Sequence, residues 1–403
     1  MSILNRIHCP KAGGPKLSIH DSIGLVRTED WNAVLSIQNI YLSIPYLKSV
    51  EEAVTSNEYR YILFYNSKQE AVGIGVFQLH TYTGEDVDIQ DFIGRFGEKI
   101  RSRILDGLDI KVLLCGSAFN TGVNGFYFNE GVSIKDQFEH LNRAFDRVQR
   151  EEIKQDKRLS FILFKDFPMA FENHQDVLTE NGYTGFAVDK NMVISVHPAW
   201  VNFDAYMADM TTKFRTKIKG VLKKSNELVV KSLDYGEILQ YEEQINALYL
   251  SVMERANYRF GVINARAFSN MKKNLGDNYV FNAYLLDNQL VSFGTLTYNG
   301  QLADANFVGI NYDLNNERAL YQRILIDFIR DAIDRKSEKI QLGRTAEEVK
   351  SCLGAVPVEL KLFVKHRNQL TNKIIKPFIS TVQPSAYELR KPFKAAFYEA
   401  WIQ

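Results

Sequence analysis

The sequence is short of the features by which many activities announce themselves. Its 403 residues hold three cysteines, Cys9, Cys115 and Cys352, far apart and with no C-x-x-C spacing. That pattern argues against a disulfide framework and against a structural zinc site, and it fits a reducing compartment. The seven histidines form no H-x-x-x-H or H-E-x-x-H pair, so no helix presents two imidazoles to a metal. A G-x-S-x-G elbow and a dinucleotide fingerprint are both missing. No apolar run reaches the roughly 18 residues that a membrane helix needs, and the N-terminal segment lacks the apolar core of a signal peptide. The expectation is a soluble, cytoplasmic protein, with peripheral attachment to the inner membrane surface left open. An excess of one charge is absent too: 49 Lys and Arg oppose 48 Asp and Glu. Any polyanionic partner must therefore be met by a local patch.

What is present points to a globular chain of two domains. Hydrophobic residues make up 45%, aromatic residues 12% and charged residues 24%, a composition able to bury sizeable cores. A helix is expected around Ile44 to Val54, where Leu47, Val50 and Val54 recur at three- and four-residue steps. Tyr61–Tyr65, the polar turn Asn66–Glu70 and Ala71–Leu79 then read as strand, turn and strand. A second hairpin of the same design appears as Tyr279–Leu286, Asp287–Gln289 and Leu290–Tyr298. Each hairpin leads into a strand, an amphipathic helix and a short strand. These are Ile110–Cys115, Ile134–Arg150 and Leu159–Phe164 in the first half, and Ala303–Ile310, Glu317–Arg335 and Lys339–Leu342 in the second. The order describes an α/β fold written twice, each copy a mixed sheet with a crossover helix. The first copy carries an insertion, mostly within residues 81–109.

A boundary is expected at His197-Pro198-Ala199-Trp200, after the strand Met192–Val196 and before a helix beginning near Phe203. This gives a first domain over 20–198, a second over 199–370, and a tail over 371–403. The tail carries Pro377, Pro384 and Pro392, three of only nine prolines, so it should wrap over the body rather than form a domain.

The most unusual local feature runs from Thr211 to Lys224. On a helical wheel Phe214, Ile218, Val221 and Leu222 share one sector of about 100°. Lys213, Lys217 and Lys224 flank one side of it, and Arg215, Lys219 and Lys223 the other. No acid occurs until Glu227, so salt bridges within the helix do not explain these cations. The reading is a docked helix whose basic shoulders either face solvent or meet an anion. A polar loop, Cys115 to Phe128, holds three glycines, but its far end reads as a strand rather than a helix, which favours a structural turn over a phosphate cradle. A third segment, Gly343-Arg344-Thr345-Ala346-Glu347-Glu348-Val349-Lys350, comes directly after a strand. Arg344 then sits at the carboxyl end of a sheet strand, where open α/β sheets bind ligands. Thr345 and Glu348 have capping-box spacing for the next helix. Glu254 to Gly261 ends a helix with aromatics and arginines interleaved, fit for a substrate channel or for a cap. Asp304 and Asn306 share one face of a mid-sheet strand, and a buried acid there has the raised pKa of a base unless that face is exposed.

The doubled hairpin, strand, helix and strand, with the basic helix opening the second half, resembles the duplicated form of the GCN5-related N-acyltransferase (GNAT) superfamily, and within it the Fem-type peptidoglycan-biosynthesis proteins. Tyr41-Leu-Ser-Ile-Pro-Tyr-Leu-Lys-Ser-Val-Glu51 is similar to the opening of that group. Val349-Lys-Ser-Cys-Leu-Gly-Ala355 is similar to its F-K-x-x-F-G segment. The resemblance spans about residues 25 to 370. It implies transfer of an acyl or aminoacyl group to an amine by direct attack in a ternary complex, with no tightly bound cofactor and no metal. The donor would be acyl-CoA, acyl carrier protein or aminoacyl-tRNA.

The chain departs from acetyl-CoA users where their glycine-rich pyrophosphate loop would be: it reads Asn311-Tyr-Asp-Leu-Asn-Asn-Glu-Arg-Ala-Leu-Tyr321, with no glycine and with Glu317 adding negative charge. The expected active copy is the second, the first being degenerate. Asp304, Arg344 and Tyr258 are the expected catalytic residues. Asn306, Arg259, Tyr321 and Lys350 are expected at the substrate, and Lys217, Lys219 and Lys223 at an anion. The basic helix also suits an anionic lipid surface, as do Phe393, Phe397 and Trp401 beside Arg390, Lys391 and Lys394. The alternative reading is a catalytically inactive adaptor that uses the same cleft to bind an anionic macromolecule.

Overall fold

The computed structural model describes residues 16–35, 39–82, 110–155, 159–168, 171–187, 190–255, 262–379 and 388–401. In chain order the strands are β1 Leu17–His20, β2 Glu58–Tyr65, β3 Ala71–Tyr82, β4 Ile110–Cys115, β5 Phe126–Phe128, β6 Leu159–Pro168, β7 Thr184–Ala187 and β8 Asn191–Ser195. Then come β9 Val229–Ser232, β10 Tyr279–Leu286, β11 Gln289–Asn299, β12 Leu302–Ile310, β13 Lys339–Gln341, β14 Val356–Val358 and β15 Leu360–His366. Two compact units result. The first takes the chain to Val188, Asn257–Val262 and Glu359–Pro384; the second takes Asp189–Ala256, Ile263–Val358 and Ser385–Gln403.

The same design is present in both units. In the first, β2, β3 and β4 pair antiparallel in turn, and β4 pairs β6 in parallel. The helix Ile134–Lys154 makes the crossover that a parallel pair requires. In the second, β10, β11 and β12 pair antiparallel and β12 pairs β13 in parallel. The hairpin between β10 and β11 turns on Asp287 (φ 49°) and Asn288 (φ 63°). Two left-handed residues make the turn whose twist matches that of the strands, and Asp and Asn tolerate it best after glycine.

Helix periodicity sets the cores. Phe138, Leu141, Phe145 and Val148 recur at three- and four-residue steps and pack on Phe64, Phe77 and Leu113, with the rings of Phe77 and Phe145 stacked 4.6 Å apart. Leu320, Ile324, Phe328 and Ala332 do the same over Leu296, Ala303 and Ile340. Each such large side chain contributes about 1.5–3 kcal/mol by leaving water.

Strand membership differs from the expected division at residue 198. The strand β8, which the sequence order assigns to the end of the first half, lies in the second sheet between β13 and β14. Reciprocally, β15 lies in the first sheet between β6 and β7, although the expected second domain extends to residue 370. Alternating burial fixes which face a strand presents, not which neighbour it pairs with. The tail is divided as well. The helix Gln369–Ile379 belongs to the first unit. Phe393 is buried in the core of the second, against Trp200 and Tyr206. Backbone bonds Thr211 N–H to Pro392 O and Lys394 N–H to Asp209 O, both 2.9 Å, fix it there. Phe393 and Phe397 are thus committed to packing rather than offered to a lipid surface; the side chain of Trp401 lies outside the described residues. Residues 83–109 of the insertion also lie outside them.

The crossover helix of the second unit holds a carboxylate that reports on pH. Asp331 accepts a hydrogen bond from Asn282 Nδ2 at 2.9 Å, yet burial, with help from Asp327 and Asp334, raises its pKa to about 6. The folded state then binds the proton more tightly than the unfolded chain, so this group's contribution to stability is lost as pH rises from about 4 to about 6. Asp331→Asn, which keeps the accepting oxygen, is expected to raise stability by about 1 kcal/mol near pH 8 and to do nothing near pH 4. Thermal denaturation at the two pH values checks this.

Candidate active site

The site of interest is where β12 and β13 part. They pair only from Leu302–Asp304 to Lys339–Gln341. Beyond that point β12 continues to Ile310 on the arm of β11, while the other strand turns away through Gly343 (φ 75°), Thr345 (φ 63°) and Ala346 (φ 51°). The result is a wedge open at the carboxyl ends of both strands. A side chain at Gly343 would begin 3.9 Å from the carbonyl oxygen of Ala305, so the two walls are in van der Waals reach at the apex.

Two irregularities shape the walls. On β12 the register slips between Gly294↔Val308 and Leu296↔Ala305, so that Thr295 faces both Asn306 and Phe307. The Thr295 hydroxyl accepts from the Phe307 N–H at 3.1 Å and pins this bulge. Such bulges re-aim side chains at functional edges. On the opposite wall, a β-branched threonine held in the left-handed region is strained, and strain of this kind persists only where surrounding contacts impose it.

Lys350 imposes it. Its ammonium donates to the carbonyls of Gly343 (3.1 Å) and Arg344 (2.5 Å), and the residue is only 2% exposed. No carboxylate among the described residues lies within salt-bridge distance of it. Burial pushes its pKa down to about 7, against the opposing pull of Glu347. An amine that titrates near neutrality at the mouth of a cleft has the tuning of a reaction site.

The structure distributes the expected residues along this wedge. Asp304 is buried at the apex, opposite Thr297 on one side and Gln341 on the other. Asn306, half-buried, receives the Thr297 hydroxyl on its side-chain oxygen. Arg344 stands at the strand's carboxyl end as expected, half-buried. Tyr321 opens the crossover helix, its phenol pushed above its ordinary pKa by burial and further by Tyr312 and Glu347. Glu347 comes after β13 and Tyr321 after β12, so their interaction spans the mouth. Tyr258 and Arg259 lie outside the described residues.

Two local expectations are corrected. The capping box at Thr345 and Glu348 does not form: the helix Glu347–Ser351 starts after Ala346, with no side-chain cap, because Thr345 is left-handed. Glu348 instead pairs with Arg390 at 2.7 Å. The helix expected over Glu317–Arg335 is two helices, Tyr312–Arg318 and Leu320–Asp334, broken at left-handed Ala319. Asn315 Oδ1 accepts from the Tyr321 N–H at 3.0 Å, and Glu317 pairs with Arg318. One of the N–H groups that a donor's phosphate would meet at this helix start is thus satisfied from within the chain.

The basic helix, Thr212–Lys224, is on the same rim. Phe214 and Ile218 are buried in the core, as the wheel required, and the helix packs on both Tyr312–Arg318 and Leu320–Asp334. Lys224 Nζ reaches the Asn316 carbonyl at 3.3 Å, and Lys217 is near enough to Glu348 to add to the lowering of its pKa, which Arg390 dominates. The helix therefore runs past the mouth from one wall to the other. Lys217, Lys219 and Lys223 are exposed and form no salt bridge among the described residues.

Arg255, within the interleaved segment but not among the expected site residues, stacks over the ring of Tyr312 at 4.1 Å. Ser251, one helical turn before it, donates to the Ile310 carbonyl at 2.7 Å and ties this helix to the end of β12. The signal for it is the arginine–aromatic composition of residues 254–261.

In the first unit the corresponding place is filled by its own chain. Residues 116–125 loop out between β4 and β5, both of which pair with β3. Gly122 N–H donates to the buried Asp166 at 3.2 Å, and Lys165 donates to the Asn120 carbonyl. Asn124 donates to Asn120 at 3.1 Å and Asn120 to the Tyr46 hydroxyl at 3.2 Å. The glycine loop is a structural turn.

No protein-family model matches the sequence, nor does any curated protein. Solved structures do match. FemX aligns with 87% of this chain and 98% of its own, at 12% identity and a TM-score of 0.52. A tandem GNAT protein from the clavulanic acid biosynthesis pathway aligns with 88% and 99%, at 10% identity and 0.50. This chain has the tandem GNAT fold. A third match is the C-terminal domain of a putative lysylphosphatidylglycerol synthetase from Agrobacterium fabrum, covering 86% and 93% at 7% identity and 0.50. At these identities the likeness extends to the fold, and a tandem GNAT fold places the wedge of β12 and β13 in the second copy. No helix among the described residues is long and apolar enough to cross a membrane.

Proposed function

We propose that the second unit transfers an acyl or aminoacyl group from a thioester or ester donor to an amine within a ternary complex. The observation that carries this reading is the wedge itself. It brings together a buried carboxylate at its apex, a buried lysine on one wall and a row of cations along its rim, the lysine and the rim cations without a carboxylate partner among the described residues.

The residues suit the chemistry. Asp304 takes a proton from the acceptor nitrogen, whose lone pair attacks the acyl carbon. The carbonyl oxygen gains negative charge, which the Lys350 ammonium and the backbone of the bulge oppose. The C–S or C–O bond of the donor then breaks, and the leaving thiolate or alkoxide regains a proton. Arg344 and Tyr321 line the mouth and, with Asn306, orient the two substrates. Tyr258 and Arg259 remain proposed contributors from sequence. Lys217, Lys219 and Lys223 hold the anionic part of the donor.

Donors with a large polyanionic body, acyl carrier protein or aminoacyl-tRNA, suit the exposed cations better than acyl-CoA, because the helix start that would bind a diphosphate is partly satisfied by Asn315. The sequence resemblance to Fem-type peptidoglycan-biosynthesis proteins favours a peptidoglycan precursor as acceptor and the cytoplasm, or the inner membrane surface, as the place of action. The self-filled wedge of the first unit supports its being catalytically silent. The same Asn315 contact favours a second reading, an inactive adaptor that binds an anionic macromolecule through the basic helix.

A panel of three donors separates the readings: acyl-CoA, acyl carrier protein thioester and aminoacyl-tRNA, each incubated with the full chain and a cell extract as acceptor. Discharge of one donor supports transfer, and none, alongside salt-sensitive binding, supports the adaptor. In the productive reaction Arg344→Ala is expected to lower transfer about 10- to 100-fold with the melting temperature nearly unchanged, since the group lies at the mouth rather than in the core. Equal loss of folding would return Arg344 to a structural role.

A further inference from the structure

On one face of the second sheet, polar side chains run across four neighbouring strands where apolar ones would be expected. Thr297 on β11 faces Asp304 on β12, and Asp304 faces Gln341 on β13. Gln341 in turn faces Val193 on β8. Asn191 is two residues before Val193, so it presents its side chain on the same face. Thr297, Asp304 and Asn191 are 1%, 3% and 3% exposed. The opposite face of these strands carries the apolar core, with Ala303, Ile340, Met192 and Ile194.

The end of this row is incomplete. Asn191 Nδ2 donates to Gln341 Oε1 at 2.5 Å, but Asn191 Oδ1 is buried with no hydrogen-bond partner. A buried amide oxygen left without a donor is rare in a folded chain and calls for one from outside. None of the four residues in the row is a cation. The row offers a carboxylate at the apex of the wedge and an unfilled acceptor oxygen two strands away. Neighbouring strands are about 4.8 Å apart, and Asn191 lies two residues, about 7 Å, along β8 from the residue that faces Gln341, so the two are separated by roughly 12 Å.

We propose that Asn191 Oδ1 is a recognition point for the amine acceptor. The acceptor carries a second N–H group, of an ammonium or an amide, roughly 12 Å from the nitrogen that reacts beside Asp304. Asn191 is then a specificity-determining residue, supplied by the one strand that the second sheet takes from the first half of the sequence. The subsite rests on the acyl-transfer reading of the wedge, but binding and transfer are measured separately.

Affinities of the full chain for putrescine, cadaverine, hexamethylenediamine and octamethylenediamine, with hexylamine and hexanediol as controls, test it by saturation-transfer NMR. The longer diamines are expected to bind about tenfold more tightly than hexylamine, the value of one hydrogen bond to a charged donor. Asn191→Leu is expected to abolish that preference, to leave the hexylamine affinity unchanged and to shift the melting temperature little, because relief of the unpaired buried oxygen offsets the lost bond to Gln341. Asn191→Asp, which retains the shape and adds charge, is expected to increase the preference and serves if the leucine variant fails to fold. A wild-type chain that binds hexylamine and the diamines equally, or a preference that survives in Asn191→Leu, overturns the proposal. Donor discharge to hexylamine without a diamine preference removes the subsite alone. A diamine preference that Asn191→Leu abolishes, with no discharge of any donor, upholds the subsite and removes the transfer reading.

Discussion

Lys350→Met is expected to reduce acyl transfer more than about 100-fold, because it removes the buried cation proposed to oppose the charge that develops on the acyl oxygen. The same change has a structural side. It leaves the carbonyls of Gly343 and Arg344 without their donor, at a cost of about 1–3 kcal/mol each if they remain dry. It also relieves the burial of an ammonium, which offsets part of that loss. Two pH profiles separate the effects. Because burial lowers the Lys350 pKa to about 7, the unfolded chain binds the proton more tightly, and wild-type stability should climb as pH rises from about 7 toward about 10. Wild-type transfer should instead fall above about pH 7 as the charge is lost. In Lys350→Met both trends should vanish. A methionine variant that keeps the alkaline fall in rate would assign that limb to another group.

Gly125→Ala is expected to cost about 3 kcal/mol or more and to lower the yield of folded protein. An added Cβ would stand 2.6 Å from Cys115 C and Gly116 N and 2.7 Å from Cys115 O. These are backbone atoms, held because Gly116 N–H donates to Val76 O at 3.0 Å and Val76 N–H to Gly125 O at 2.8 Å. A flexible side chain would swing aside; this strand crossing has no such freedom. Gly131→Ala is the control, since nothing lies within 4 Å of its added Cβ, although its φ of 96° still disfavours any side chain. Denaturant melts of the two variants check the difference, and a mild effect at Gly125 would mean that the loop filling the first wedge is looser than its hydrogen bonds imply.

The architecture was largely legible in the sequence. Period-2 runs on either side of polar turns gave both hairpins within a few residues, and the repeated order of hairpin, strand, helix and strand gave the fold. The basic helix was legible because its apolar sector, Phe214 and Ile218, had to be buried somewhere and left the cations outside. The breaks were not legible. Ala319 is the best of helix formers, and nothing in its neighbourhood marks it as left-handed. Thr345 and Glu348 have the spacing of a capping box, but a lysine five residues on imposes a different turn, a tertiary contact that spacing cannot express. The exchange of β8 and β15 was hidden because alternation records a strand's faces and is silent on its partners. Asn191 was hidden for the same reason, as one asparagine at the start of a short apolar strand until Gln341 stands beside it.

The central claim is that the wedge of the second unit performs the transfer. The most direct measurement is the rate of donor discharge by Asp304→Asn, a change that keeps the side chain's shape and removes its basicity, beside the wild-type chain. Discharge is expected to fall by more than about 100-fold with a native melting temperature. Discharge at the wild-type rate by a folded Asp304→Asn protein would contradict it.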